Sequence, residues 1–552
     1  MTEPLAESAT GLVGPAPNAA RPEPPASGSA PPSTGRALAR AGLVVTIVFF
    51  VSRLLGWLRL VLIGAVFGAN ADLDTFFAAF RIPDLIFQLV AAGALSSALI
   101  PIVTGLLATD EDARAWRVVS TVINLMMSAL LVLSVALAVL APQVVPLITP
   151  GFDLVERSQT VELTRVMLLS PILLALGSVA TSILNAQGRF AASAIAPLVY
   201  NLAISFGAVF LAPFMGVRGL ALAVVLGSAG HLAVQLPQVL RGGFRYDAIL
   251  ALDDPKARQA LVLLAPRALG LGVSQLTFVV TTTLASGLQA GSISAFTFAF
   301  TLLQIPIGVI GVPLGVVIFP SMARELALGA EDRYVALLTR SLRLLLFVML
   351  PIAALLAVLR RQAVAILFPG FDTATVDLTA NALLFFLVGL AAHALIAVLA
   401  RAFYARQDTR TPVAAAILAV VVNVSLAVVL VGSMGVAGLA LAIAIGAWVE
   451  ALLLIVVLKG NLPPLDLGSL VRVVLESGLG SLVAGAVALG LVYFLDGWIG
   501  PRPTWPLLVL QSAVAAAAGG LAFLAVAVAL RIPELPTIVG LMVDLVRRRP
   551  AS

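Results

Sequence analysis

Cysteine is absent from this chain, and histidine occurs only twice, as His231 and His393. The first absence excludes disulfides and thiolate metal sites. The two histidines lie far apart, each in an apolar segment, so no zinc spacing exists. Charge is scarce as well, at 11% of residues against 61% hydrophobic. There is no phosphate loop, no nucleophile–base constellation and no ATP-binding motif. Those absences argue against an enzyme and against direct use of ATP, and no resident cofactor is implied.

What is there is apolar sequence in runs of membrane length. Mean hydropathy is +1.10, the composition of an all-α polytopic membrane protein. The net charge of +6 does not signal nucleic-acid binding, because the basic residues sit in short loops where they set orientation. Fourteen spans are expected, at 42–67, 73–107, 116–141, 160–186, 191–213, 217–240, 257–288, 292–323, 335–359, 376–404, 411–433, 436–458, 468–495 and 505–531. The second and eighth exceed the roughly 20 residues a crossing needs, and Pro83 and Pro306 predict bends there. Residues 1–36, rich in Pro, Ala, Ser and Gly, read as a disordered tail without the pattern of a cleaved signal peptide.

Loop charges orient the chain. With the N-terminus in the cytoplasm, 23 loop and tail lysines and arginines fall on the cytoplasmic side and five on the other. The positive-inside rule then places both termini in the cytoplasm of a bacterial cell, with the chain in its inner membrane.

The chain also repeats itself. Gly216-Val217-Arg218-Gly219-Leu220-Ala221 recurs as Gly435-Val436-Ala437-Gly438-Leu439-Ala440, Pro150-Gly151-Phe152-Asp153 recurs as Pro369-Gly370-Phe371-Asp372, and Pro101 matches Pro320, all at an offset of 219. A duplicated six-span unit follows, related by an axis along the membrane normal because the span number is even. The expected organisation is a tail (1–36), a first six-helix bundle (37–241), a cytoplasmic linker (242–256), a second bundle (257–459), two further helices (460–531) and a basic tail (532–552).

Residues 52–101 concentrate the chemistry. This apolar stretch carries Arg53, Arg59 and Arg81 with Asp72, Asp74 and Asp84. A guanidinium inside a membrane helix costs roughly 2.5–3.5 kcal/mol on insertion scales and usually faces a cavity or bundle interior. Arg53 alone could snorkel to the surface. Arg53 and Arg59 are six residues apart, about 9 Å along the axis and roughly 120° around it, so they do not share one helical face. In the second half the same places hold Gln275, Thr281, Ser294 and Thr301, opposite Arg53, Arg59, Asp74 and Arg81. Charges kept in one copy only favour a ligand-facing role, and arginine matches phosphate as a bidentate donor.

Ser52-Arg53-Leu54-Leu55-Gly56, Phe67-Gly68-Ala69, Asp74-Thr75-Phe76-Phe77-Ala78-Ala79-Phe80-Arg81-Ile82-Pro83 and Gly93-Ala94-Leu95-Ser96 together resemble the MurJ/MviN family of lipid II flippases, within the multidrug/oligosaccharidyl-lipid/polysaccharide exporter superfamily. Later pieces, among them Ser274-Gln275 and Phe403-Tyr404-Ala405-Arg406-Gln407-Asp408-Thr409-Arg410-Thr411-Pro412, extend the resemblance from about residue 42 to the end. It implies an undecaprenyl-diphosphate-linked saccharide, lipid II, as substrate and alternating access as mechanism. Arg53, Arg59 and Arg81 would hold the diphosphate, Asp74 would bind or gate as a counter-ion, and the last two spans would take the prenyl tail. The last piece also reads as a turn and helix start capped by Asp408 or Thr409, and Glu476 as a simple partner of Arg472 one turn earlier.

The chain departs from the family where it has Thr301 in place of a basic residue, Gln304 near the place of an acid, and Ala92 in place of an acid. Arg267, after Pro266, is the candidate replacement for the missing cation. Another lipid-linked glycan, a drug or metabolite exporter, a non-transporting scaffold that recruits cell-wall synthesis proteins, and an intramembrane glycosyltransferase are the competing readings. A drug exporter would favour intramembrane acids, whereas the excess here is basic. Asn124, Asn201, Gln275 and Asn423 could ligate a coupling Na⁺, though interhelical hydrogen bonding is their commoner use. The membrane potential is the other energy source, at about 2.3 kcal/mol per charge per 100 mV.

Overall fold

An apolar run inside a bilayer has no water to satisfy its backbone, so it must close its own hydrogen bonds as a helix. The computed structural model describes residues 33–90, 94–461, 466–499 and 504–547. The side chains of 33–47, 49–50, 89–98, 263–274, 461, 499 and 541–547 also lie outside the described residues. All contacts below belong to the unit Val48–Ser552. Every described element is helical.

In the first half α1 (Ser33–Phe67) and α2 (Ala71–Val90) are followed by α3 (Ala94–Ala108), α4 (Asp112–Ile148), α5 (Leu154–Met167), α6 (Leu169–Ala186), α7 (Phe190–Phe206), α8 (Ala212–Met215) and α9 (Val217–Arg241). The second half holds α10 (Pro255–Ala285), α11 (Ser292–Pro306), α12 (Val312–Ala327), α13 (Glu331–Val358), α14 (Arg360–Leu367), α15 (Thr373–Leu387), α16 (Leu390–Ala405), α17 (Arg410–Met434) and α18 (Val436–Asn461). Then come α19 (Leu467–Ile499), α20 (Trp505–Ala529) and α21 (Glu534–Arg547). Two π-bulges, Gly207–Leu211 and Ile307–Gly311, join α7 to α8 and α11 to α12.

Among the described residues ten segments are long and apolar enough to cross a membrane, or eleven when α15 and α16, bent by 48°, count as one. The other three of the fourteen expected spans fall on α1, α2–α3 and α10, which run through residues not described. Three boundaries differ from expectation. The first helix begins at Ser33, inside the segment read as a tail; residues 1–32 lie outside the described residues. The fourth span is two helices that meet at Leu168. The segment 532–552 is not simply a tail: it forms α21, tied to α13 by Arg343 and Glu534 at 2.6 Å.

The duplication is visible in backbone detail. Gly216 and Gly435 start α9 and α18 with φ of 58° and 57°, a region that favours glycine. Three residues on, a Cβ at Gly219 would press on Leu211, and one at Gly438 on Leu430. The Pro-Gly-Phe-Asp turns are paired too. Asp153 caps α5 and Asp372 caps α15 through their carboxylates. Gly151 lies against the backbone of Ser286 and Gly287 at the end of α10, while Gly370 lies against the backbone of Ala65 near the end of α1. Each half therefore lays its turn on the first helix of the other. Lipid tails are as apolar as leucine, so close approach at small residues, rather than burial from water, holds such crossings.

An aromatic cluster fills the same end of the interface. Phe77 of α2 meets Phe298 of α11 edge-on at 6.0 Å. Phe298 in turn packs on Phe368 and Phe371 at 4.7 and 5.1 Å. A separate apolar cluster, built from Ile82, Leu99, Val119, Val179 and Ile183, lies mainly in the first half and takes in Ala257 and Ala260 at the start of α10.

Candidate functional site

Three of the four charges singled out on α1 and α2, Arg53, Asp74 and Arg81, meet helices that open the second half, and α10 and α11 both pack on α2. Asp74 is the most deeply placed, 3% exposed. Its carboxylate accepts from the Gly291 N–H at 2.8 Å, the Ser294 N–H at 2.7 Å and the Ser294 hydroxyl at 2.6 Å. Gly291 is the N-cap position of α11 and has no side chain to offer. A carboxylate from the other half thus does the work of a capping residue, favoured both by the free N–H groups and by the helix dipole. Among the described residues no cation pairs with Asp74.

The arginines diverge, as their spacing on the helix requires. Arg53 is exposed, and its guanidinium lies against Gly308 in the second π-bulge, where a Cβ would clash with it. Arg59 stays within the first half, its guanidinium 5.8 Å from the ring centre of Tyr200 on α7. It also donates to the Tyr200 hydroxyl. Arg81 reaches across to α10: Nε donates to Thr282 Oγ1 at 3.1 Å, and the guanidinium lies 5.3 Å from the Phe278 ring centre. Both aromatic contacts are of the cation–π kind. Arg267 sits on α10 where side chains are not described, and Ala92 also lies outside the described residues. Thr301, the counterpart of Arg81, donates back to the Thr297 carbonyl at 2.9 Å and keeps to its own helix.

Three residues near these arginines, Asp84, Tyr200 and His231, were given no place in the site from sequence. Asp84, one turn after Arg81, is within electrostatic reach of both Arg59 and Arg81. Yet no carboxylate comes within 4.0 Å of either guanidinium among the described residues. Arg59, Asp84, Tyr200 and His231 line one cavity of about 310 Å³ between α1, α2, α7 and α9. The three-residue spacing of Arg81 and Asp84 is a signal the sequence carries; nothing local marks Tyr200 or His231.

The remaining polar residues are largely structural. Asn124 donates to the carbonyls of Asp247 and Ile249 at 3.0 and 2.9 Å and accepts from Tyr246, tying down the linker. Asn201 donates to the Pro197 and Ser52 carbonyls. Asn423 donates to Thr277 Oγ1 at 3.3 Å, leaving its own oxygen buried and unpartnered. His393 is half-buried on α16, far from His231 in the chain, and its buried Nε2 is without a partner. No group of three or more potential metal ligands occurs among the described residues. Glu476 pairs with Arg472 at 2.6 Å. Asp408 opens α17 by accepting from the N–H groups of Arg410 and Thr411. The Thr411 hydroxyl also bonds it and is the main cause holding its carboxyl below the usual range.

A duplicated all-helical bundle, with half-buried arginines inside its membrane-length helices, is the build of a membrane transporter. The family model described as "Lipid II flippase MurJ" matches residues 63–501. The chain is 33% identical over 432 residues to the lipid II flippase MurJ of Burkholderia cenocepacia, covering 76% of this chain and 84% of that one. With the probable lipid II flippase MurJ of Rhizobium tropici it shares 32% over 424 residues, 74% of this chain and 79% of the relative. A solved lipid II flippase MurJ in an inward closed conformation superposes with a TM-score of 0.74 at 22% identity, over 89% of this chain and 99% of that one. An inward-facing multidrug resistance transporter of the MATE family superposes at 0.58 and 16% identity, over 77% and 98%. This chain belongs to the MurJ family of lipid II flippases, and it is a multi-pass membrane protein.

Proposed function

We infer that the chain is a flippase that carries lipid II, an undecaprenyl-diphosphate-linked peptidoglycan precursor, from the cytoplasmic to the outer leaflet by alternating access. The single observation that carries this reading is the placing of Arg59 in a cavity of the first half and of Arg81 against α10, with Asp74 joining the halves at one end. A diphosphate offers oxygens to several guanidinium donors at once. At that end, Asp74, the aromatic cluster and the two Pro-Gly-Phe turns bind one half to the other. Opening there must release the Asp74 cap from α11, and closing restores it.

Arg53 beside the second π-bulge would sense the same movement, since π-bulges are weak points in a helix and frequent at functional sites. Arg267 remains the candidate for the missing second-half cation. The basic loops support cytoplasmic termini and an inner-membrane location, the orientation the lipid II route requires. Cell-wall synthesis proteins are the partners this role would call for. Na⁺ and the membrane potential both stand as energy sources. A second reading, carriage of another lipid-linked glycan, is favoured by Thr301, whose hydroxyl turns back onto its own helix.

The test is complementation of a bacterium depleted of its lipid II flippase, at matched expression. Rescue by the wild type and at least a roughly tenfold loss of viable count with Arg59→Ala are expected. Rescue by both would remove Arg59 from the mechanism. No rescue by a well-expressed wild type would favour the other glycan.

A further inference from the structure

A site built to hold an anion should not contain one of its own, yet this one does. Arg81 and Asp84 stand three residues apart on α2, close to one face of the helix. Arg81 turns to Thr282 on α10, while Asp84 lines the cavity that Arg59 also lines. The carboxylate is near enough to act electrostatically on both arginines and too far to form an ion pair with either. Arg59 has taken Tyr200 as its neighbour and Arg81 has taken Phe278 and Thr282. The cations are thus positioned by neutral groups, and their terminal donors are not spent on Asp84. An acid needed only to neutralise these half-buried arginines would be expected to close onto one of them, because a charge withdrawn from water is costly unless paired and hydrogen-bonded.

An unpaired carboxylate beside a diphosphate repels it, and a transporter has a use for that. A site must bind firmly enough to load and weakly enough to unload. We propose that Asp84 is a release residue: its negative charge, held in the arginine cavity without ion pairing, weakens the hold on a lipid-linked diphosphate so that the ligand can leave on the far side. This rests on the reading of the chain as a carrier of such lipids and names the residue that sets the strength of its grip. The groups that face Asp84 are Arg59 from α1, Arg81 and the neutral hydrogen-bond donor Gln88 from its own helix, Tyr200 from α7 and His231 from α9.

The test uses the full chain in nanodiscs with undecaprenyl diphosphate as probe, scoring equilibrium binding, release rate and turnover in proteoliposomes. Asp84→Asn keeps the shape and removes the charge. It should bind the probe about ten- to a hundredfold more tightly, the range expected for one charge a few ångströms away in a partly polar cavity. Its release should slow in proportion, and turnover should fall although binding improves. Asp84→Glu should stay within about threefold of the wild type, because the charge remains. Asp84→Ser is the second neutral variant if the asparagine form does not fold. Weaker binding by a folded neutral variant, or tight binding by the glutamate form, would overturn the inference and leave the carrier reading intact. A folded wild type that does not bind the probe would overturn both.

Discussion

In the first half the two opening membrane helices carry Arg53, Arg59, Asp74 and Arg81; in the second half the matching places hold Gln275, Thr281, Ser294 and Thr301. The structure gives this difference a reason beyond ligand binding. In a two-fold arrangement a residue near the axis meets its own copy. Asp74 and Ser294 are such a pair, and they touch at 2.6 Å. Were both acids, two carboxylates would meet in a buried place. The hydroxyls and glycines of the second half act as receptors for the charges of the first: Ser294 and Gly291 for Asp74, Thr282 for Arg81, Gly308 for Arg53. Loss of charge in one copy is partly what lets the copies close on each other. For Asp74 this closing role is the one the contacts display; for Arg59, whose partner Tyr200 lies in its own half, it offers no explanation, and the ligand-facing argument stands.

The harshest way to break the comparison is to restore the symmetry. Ser294→Asp sets a second carboxylate against Asp74 and should destabilise the closed state by about 3–5 kcal/mol, the scale of an uncompensated buried charge. The thermal midpoint of the purified protein should drop and complementation should be lost; an unchanged midpoint would mean the halves do not close through this pair. The paired turns come next. Gly151→Ala and Gly370→Ala each push a methyl into the backbone of the other half, at a cost of about 1–3 kcal/mol. True duplication predicts drops of similar size, and one silent variant would show that the two crossings are not equivalent.

A milder perturbation is Asp74→Asn. It keeps one acceptor for the end of α11 but loses the charge, for about 1–2 kcal/mol. The smallest effect lies outside the membrane. Arg114 bonds Asp254 at 2.8 Å and is the main cause holding that carboxyl below its usual range. The stabilisation is therefore present above the unfolded carboxyl's ordinary value and is lost as pH falls through the lowered folded value. In Arg114→Ala, hydrogen-exchange protection of the linker amides around Ala251 should begin to fail at a higher pH than in the wild type. Superimposable pH profiles would deny the contact any part in holding the linker.

Much of the fold could be read from the chain because its signals are local. Apolar runs mark helices, and the repeated glycines at 216 and 435 encode the same backbone turn. Pro306 correctly marked an irregular point, since the π-bulge follows directly after it. The break at Leu168 has its signal in Pro171, which has no N–H to give the Met167 carbonyl, but a single proline in a long apolar run does not say that the helix divides there. In the site, arginines in apolar sequence announce themselves by their cost. Their partners do not: Tyr200, Phe278 and Thr282 are ordinary residues for a membrane helix and lie more than a hundred residues away in sequence. The partner of Asp74 was least legible of all, being largely backbone N–H at the start of α11.

The absence of cysteine makes the central claim, that the halves part and rejoin at the Asp74 end, directly measurable. Spin labels on Asp72→Cys and Gln289→Cys, both exposed positions beside the contact, would report the distance across it by pulsed electron resonance in nanodiscs. A short distance is expected in the wild type without ligand. A second, longer population should appear with undecaprenyl diphosphate and grow in the Asp74→Asn background. A single short distance under all conditions, in protein that still complements, would contradict the account.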